Sequence, residues 1–154
     1  MNLKTKLFGA LLAASLAAPA AAGDTATLAV SASVNGTCKF TTGSFAMNFG
    51  TLDPSAAANQ SQTTALTYKC TSGTAASSFS FDGAAASPTS VNITNGTDNI
   101  PVALSWTVPA TTGSGFGAGS TAITMNVAGN ITGTNYASVS AGVYTKNVAV
   151  VVAP

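Results

Sequence analysis

The sequence predicts an all-β protein, an antiparallel sandwich of short strands, and three observations carry that expectation. Apolar residues recur at every second position in one segment after another, the period of a strand with one face buried. Gly, Asn, Ser and Thr separate these segments at spacings of about ten residues, as in sandwich folds. Beyond the first 22 residues no window carries a helical apolar period of useful length.

The opening residues, MNLKTKLFGALLAASLAAPAAAG, read as a secretory leader. Lys4 and Lys6 make a basic start, Leu7 to Leu16 an apolar stretch, and small residues then offer cleavage after Ala20 or Ala22. The stretch is too short to span a membrane, and no later segment is apolar enough to do so. Residues 1–22 are therefore expected to be removed during export. Residues 23–35 form a separate N-terminal segment, and residues 36–154 one domain.

The N-terminal segment reads TATLAVSASVNGTC over residues 25–38. Ala26, Leu28, Val30, Ala32 and Val34 share one face of an extended chain, and Thr25, Thr27, Ala29, Ser31 and Ser33 the other. Within the domain, FAMNFG (45–50) alternates Phe45, Met47 and Phe49. TALTYKC (64–70) puts Leu66, Tyr68 and Cys70 in phase, and SSFSFDG (77–83) does so with Phe79 and Phe81. IPVALSWTV (100–108) carries Val102, Leu104 and Trp106 together, and STAITMNVAG (120–129) carries Ile123, Met125 and Val127. The closing GVYTKNVAVVVAP (142–154) aligns Tyr144, Val148, Val150 and Val152. That makes about six strands between Thr37 and Val152, fewer than the seven or more of an immunoglobulin-like sandwich. Asn35–Gly36 and Asn95–Gly96 are turn signals.

The inventory of reactive groups is thin. The whole chain holds no Glu, Arg or His. After the leader only Lys39, Lys69 and Lys146 stand against Asp24, Asp53, Asp82 and Asp98, a net charge of three minus four. Nothing there suits nucleic acid or an anionic membrane surface. Without His there is no Ser-His-Asp catalysis, and the dispersed Asp residues sit beside turn formers, where they cap turns. No enzymatic activity and no cofactor is expected. The Gly-rich GSGFGAG (113–119) lacks the strand-to-helix setting of a phosphate loop and reads as an inter-strand connection. Cys38 and Cys70, the only cysteines of an exported chain, read as a structural disulfide rather than a metal site. So few charges suit a protein that works in an assembly.

Several stretches, taken in order, resemble the spore coat protein U family, which includes subunits of archaic chaperone–usher pili. They are the alternating segment before Cys38, FGTLD at 49–53, ALTYKCTSGT at 65–74 and IPVAL at 100–104. The last is NVAGNITGTNYASVSAGVYTKNVAVVV at 126–152, with Gly142, Tyr144, Val148 and Val150 in the family's closing pattern. Position 146 departs, carrying Lys where the family commonly has Asp. The resemblance implies an incomplete immunoglobulin-like sandwich that lacks its final strand. A periplasmic chaperone would lend a strand, and an outer-membrane usher would let the N-terminal segment of one subunit replace it in the next. On that reading Ala26, Leu28, Val30, Ala32 and Val34 are the donor side chains. Tyr144, Val148, Val150 and Val152 would line the acceptor groove, and the product would be a head-to-tail fimbria at the cell surface. Two other readings stand beside it: a non-filamentous secreted coat protein whose first strand closes its own sandwich, and a secreted ligand-binding module using the loops around GSGFGAG.

Overall fold

The computed structural model describes residues 23–154 and separates the chain into two units, Met1–Ser33 and Val34–Pro154. The secretory leader expected over residues 1–22 lies outside the described residues. In the first unit the described residues, from Gly23 on, belong to no strand or helix, and Leu28 and Val30 are 86% and 84% exposed.

The second unit is all-β. Its strands are β1 (Cys38–Phe40), β2 (Gln60–Cys70), β3 (Ser78–Phe81), β4 (Thr89–Thr94), β5 (Asn99–Trp106), β6 (Ile123–Ile131) and β7 (Val150–Ala153). One 3-10 turn, Gly133–Asn135, follows β6. Five strands form a sheet in the order β1-β2-β6-β5-β4, and β3 pairs with β7 in a second sheet. Every ladder is antiparallel.

The period of two decides what each strand buries. Leu66, Tyr68 and Cys70 of β2 face inward, with Ile123, Met125 and Val127 of β6 and Ile100, Val102, Leu104 and Trp106 of β5. Their outward neighbours are mostly Thr, Ser, Asn and Ala. Phe79 and Phe81 of β3 bring the second sheet onto this face. The Phe79 ring centroid lies 5.2 Å from that of Tyr68, and the Phe81 centroid 4.3 Å from that of Trp106. These are contact distances at which aromatic pairs add to simple burial. The result is a sandwich closed by rings at one end.

Two expected strands pair far less than their sequences suggest. Phe45, Met47 and Phe49 alternate and are half-buried, yet no residue of 44–52 belongs to a ladder. Residues 142–149 are likewise outside any strand, apart from one bridge between Thr145 and Thr94. The ladder of the closing segment begins only at Val150. Conversely β4, whose TSVNIT carries only Val91 and Ile93 as apolar residues, is a strand that periodicity did not single out.

Candidate functional site

These two segments, largely outside the ladders, are the walls of one cleft of about 460 Å³. Its floor is the inner face of the five-stranded sheet, with Leu66, Val127, Leu104, Val102, Val91 and Ile93 contributed by β2, β6, β5 and β4. One wall is the strap 42–49, which supplies Phe45, Met47 and Phe49. The other is residues 146–150, which supply Val148 and Val150.

Local chemistry places each wall. The strap follows β1 and stays antiparallel to β2: Thr41 N–H donates to Thr67 O at 2.9 Å, and Thr64 Oγ1 donates to Ala46 O at 2.9 Å. Further along, Met47 and Phe49 lie on the bare backbone of Gly129 in β6. A Cβ there would stand 2.3 Å from Met47 Sδ and 2.9 Å from Phe49 Cζ. The bare glycine lets these two side chains lie close against the sheet, where a Cβ would make them shift.

The opposite wall is held by two carboxylates. Asp82, in the turn after β3 with φ 49, accepts the Ala149 N–H at 2.8 Å and pairs with Lys146 Nζ at 2.8 Å. Asp98 accepts the Ser140 N–H at 2.8 Å and the Ser140 hydroxyl at 2.5 Å. Both carboxyls are held below their ordinary value. The Lys146 hydrogen bond is the larger cause at Asp82, and the Ser140 hydroxyl at Asp98. Thr94 and Thr145 exchange backbone bonds of 3.2 and 3.0 Å beside them. The walls run in opposite directions. The strap leaves the Cys70 end of β2, whereas residues 145–150 start beside Thr94, at the end of the sheet where β6 finishes.

Of the four residues expected to line a groove, Val148 and Val150 do so. Tyr144 lies short of the cleft, where its hydroxyl donates to Ser140 O at 2.8 Å and accepts from Asn95 Nδ2 at 3.0 Å. Val152 is opposite Phe79 in the β3–β7 ladder. The strap and the floor were not anticipated as site residues. FAMNFG carried a detectable strand period, but nothing local to it says that it lacks a partner. Cys38 and Cys70 do pair, opposite each other in the β1–β2 ladder. Among the described residues no group of three or more His, Cys, Asp or Glu side chains comes together, and no helix is long and apolar enough to cross a membrane.

The cleft is an apolar floor between two segments, and, among the described residues, 42–49 and 146–149 join no strand ladder. An opening of that form can take an extended segment with alternate apolar side chains. A family model, the Spore Coat Protein U domain, matches residues 24–151. The chain belongs to the spore coat protein U family. The match starts at Asp24, so the family pattern includes the alternating N-terminal segment as well as the sandwich. No curated protein and no solved structure matches the chain. Within this spore coat protein U domain the cleft, the strap and the carboxylate-held wall together make the candidate site.

Proposed function

We propose that the protein is a structural, non-enzymatic subunit of an extracellular fimbria of the archaic chaperone–usher type, assembled by donor-strand exchange. The observation that carries this reading is the apolar cleft between two extended segments of which, among the described residues, 42–49 and 146–149 join no strand ladder. Residues 25–34 of another copy have the matching form: an alternating, uncharged strand presenting Ala26, Leu28, Val30, Ala32 and Val34. Main-chain bonds to the walls supply affinity, and the alternate side chains fill the floor. Burying those five side chains contributes on the order of 5 to 10 kcal/mol before ordering costs.

A head-to-tail contact of this kind does not close on itself and grows into a filament. Before assembly a periplasmic chaperone would hold the cleft, and an outer-membrane usher would hand subunits on. The exported fibre would serve surface attachment or biofilm formation.

Deleting residues 24–34 tests the reading. Polymerisation should stop, and a peptide of that sequence added in trans should raise the thermal stability of the truncated subunit. A stable, monodisperse truncated subunit indifferent to the peptide would overturn it.

A further inference from the structure

The chain enters the domain at a clasped point. Thr71 Oγ1 accepts the Thr37 N–H at 3.1 Å and donates to Asn35 O at 3.3 Å, and the Thr71 N–H donates to Thr37 O at 2.9 Å. Next to Thr71, Cys70 forms the disulfide with Cys38, and its carbonyl accepts the Gly115 N–H at 3.0 Å. Gly113 is tied to the same place. Its N–H donates to Thr74 O at 2.7 Å, and a Cβ on it would stand 2.2 Å from Cys70 O. The loop 113–119 is thus seated at the point of entry, and there it exposes Phe116 by 48%.

The opposite end of the domain also exposes an apolar side chain. Val143 is 81% exposed, between Gly142, which is packed against Asn95, and Tyr144, one residue before the Thr145–Thr94 bridge. Val34 to Cys38 is four residues, at most about 14 Å of extended chain. A copy whose Val34 fills the last position of another copy's cleft therefore has its own disulfide end pressed against that copy. A strand that pairs antiparallel to residues 146–150, and so runs parallel to the strap, leaves the cleft at the Thr94 end, beside Val143.

We propose that Phe116 of one copy packs on Val143 of the copy that accepts its N-terminal strand, forming a body-to-body contact in addition to the exchanged strand. The inference rests on the exchange reading. Its effect is to hold successive domains at a set angle rather than to let them swivel on a two-residue linker. It gives the exposed loop 113–119 a partner of defined chemistry, a second copy of this chain.

Fibres of the full-length protein carrying Phe116→Ser, Val143→Ser or both test the contact by their dissociation half-life on heating. Each single substitution should shorten the half-life about tenfold, and the double no further than either single, the signature of two residues acting together. A six-residue Gly-Ser insertion between Gly36 and Thr37 should abolish the dependence on Phe116. In parallel, free peptide 24–34 should cap fibre growth of all variants alike. Wild-type half-lives in the single variants, or additive losses in the double, with the peptide still capping, overturn the contact alone. A peptide that caps none of them overturns the exchange reading, and the contact with it.

Discussion

Lys146 Nζ stands 2.8 Å from Asp82 Oδ2, and Oδ1 of the same carboxylate accepts the Ala149 N–H at 2.8 Å. One side chain in the turn after β3 thereby holds the cleft wall that has no ladder of its own. Asp98 holds the start of the same stretch at Ser140.

Acid should loosen this wall. Both carboxyls have folded-state pKa values below the ordinary 3.8, so the stability they contribute is present above that value and lost as pH falls through the folded values. Hydrogen exchange at the Ala149 and Ser140 amides should accelerate relative to β2 and β6 amides below about pH 3.8, beyond the intrinsic pH dependence of exchange. Equal protection of both sets down to pH 2 would contradict the role given to the two side chains.

Lys146→Asp removes the cation that pairs with Asp82 and puts a like charge on the same wall. Losing the hydrogen bond and the cation that hold the Asp82 carboxyl low, and gaining a like charge, both move its pKa up. The onset of faster exchange at Ala149 should move to higher pH than in the wild type, measured on the same amides.

Gly129→Ala tests the seating of the strap. The new methyl would displace Met47 and Phe49 from the sheet, a misfit of the kind that costs about 1 to 3 kcal/mol. Denaturant unfolding should show that loss, and solvent access at residues 45–49 should rise while the β3–β7 ladder stays protected. Unchanged stability would mean that the strap does not depend on its contact with Gly129.

Leu28→Lys should separate the two ends of the subunit. Its own strand would carry an ammonium into an apolar floor and fail to enter a partner's cleft. Its own cleft, unaltered, should still take a wild-type donor. Mixed with wild-type protein, the variant should cap fibres at one end, which electron microscopy reads as shorter fibres at constant mass.

Replacing Cys38 and Cys70 by Ser removes a loop closure over a separation of 32 residues. The chain-entropy estimate is a loss of roughly 3.5 to 4 kcal/mol. The same change frees the chain entry beside Thr71, so chemical denaturation should show both a lower midpoint and faster amide exchange at Thr37 and Thr71.

Much of the fold was legible because a half-buried strand writes its burial locally, in every second residue. β2, β3, β5 and β6 fall where Leu66–Tyr68–Cys70, Phe79–Phe81, Val102–Leu104–Trp106 and Ile123–Met125–Val127 placed them. The site was less legible. Of the four valine and tyrosine residues that share a phase in the closing segment, Val148 and Val150 line the cleft and Tyr144 and Val152 do not, because phase fixes a face and not a neighbour. β4 escaped notice because an edge strand with one side polar carries only two apolar residues.

The amino-acid sequence determined the alternation, the scarcity of charge and the single cysteine pair, each readable from the identity and order of the residues alone. Only the tertiary structure decided which extended segments would go without partners. Hydrogen-bonded pairing joins residues far apart in the chain, and neither FAMNFG nor GVYTKNVAV contains within itself the strand it lacks. The alternating stretch at residues 25–34 announced a strand. The cleft between the strap and the carboxylate-held wall is the place that we propose such a strand fills.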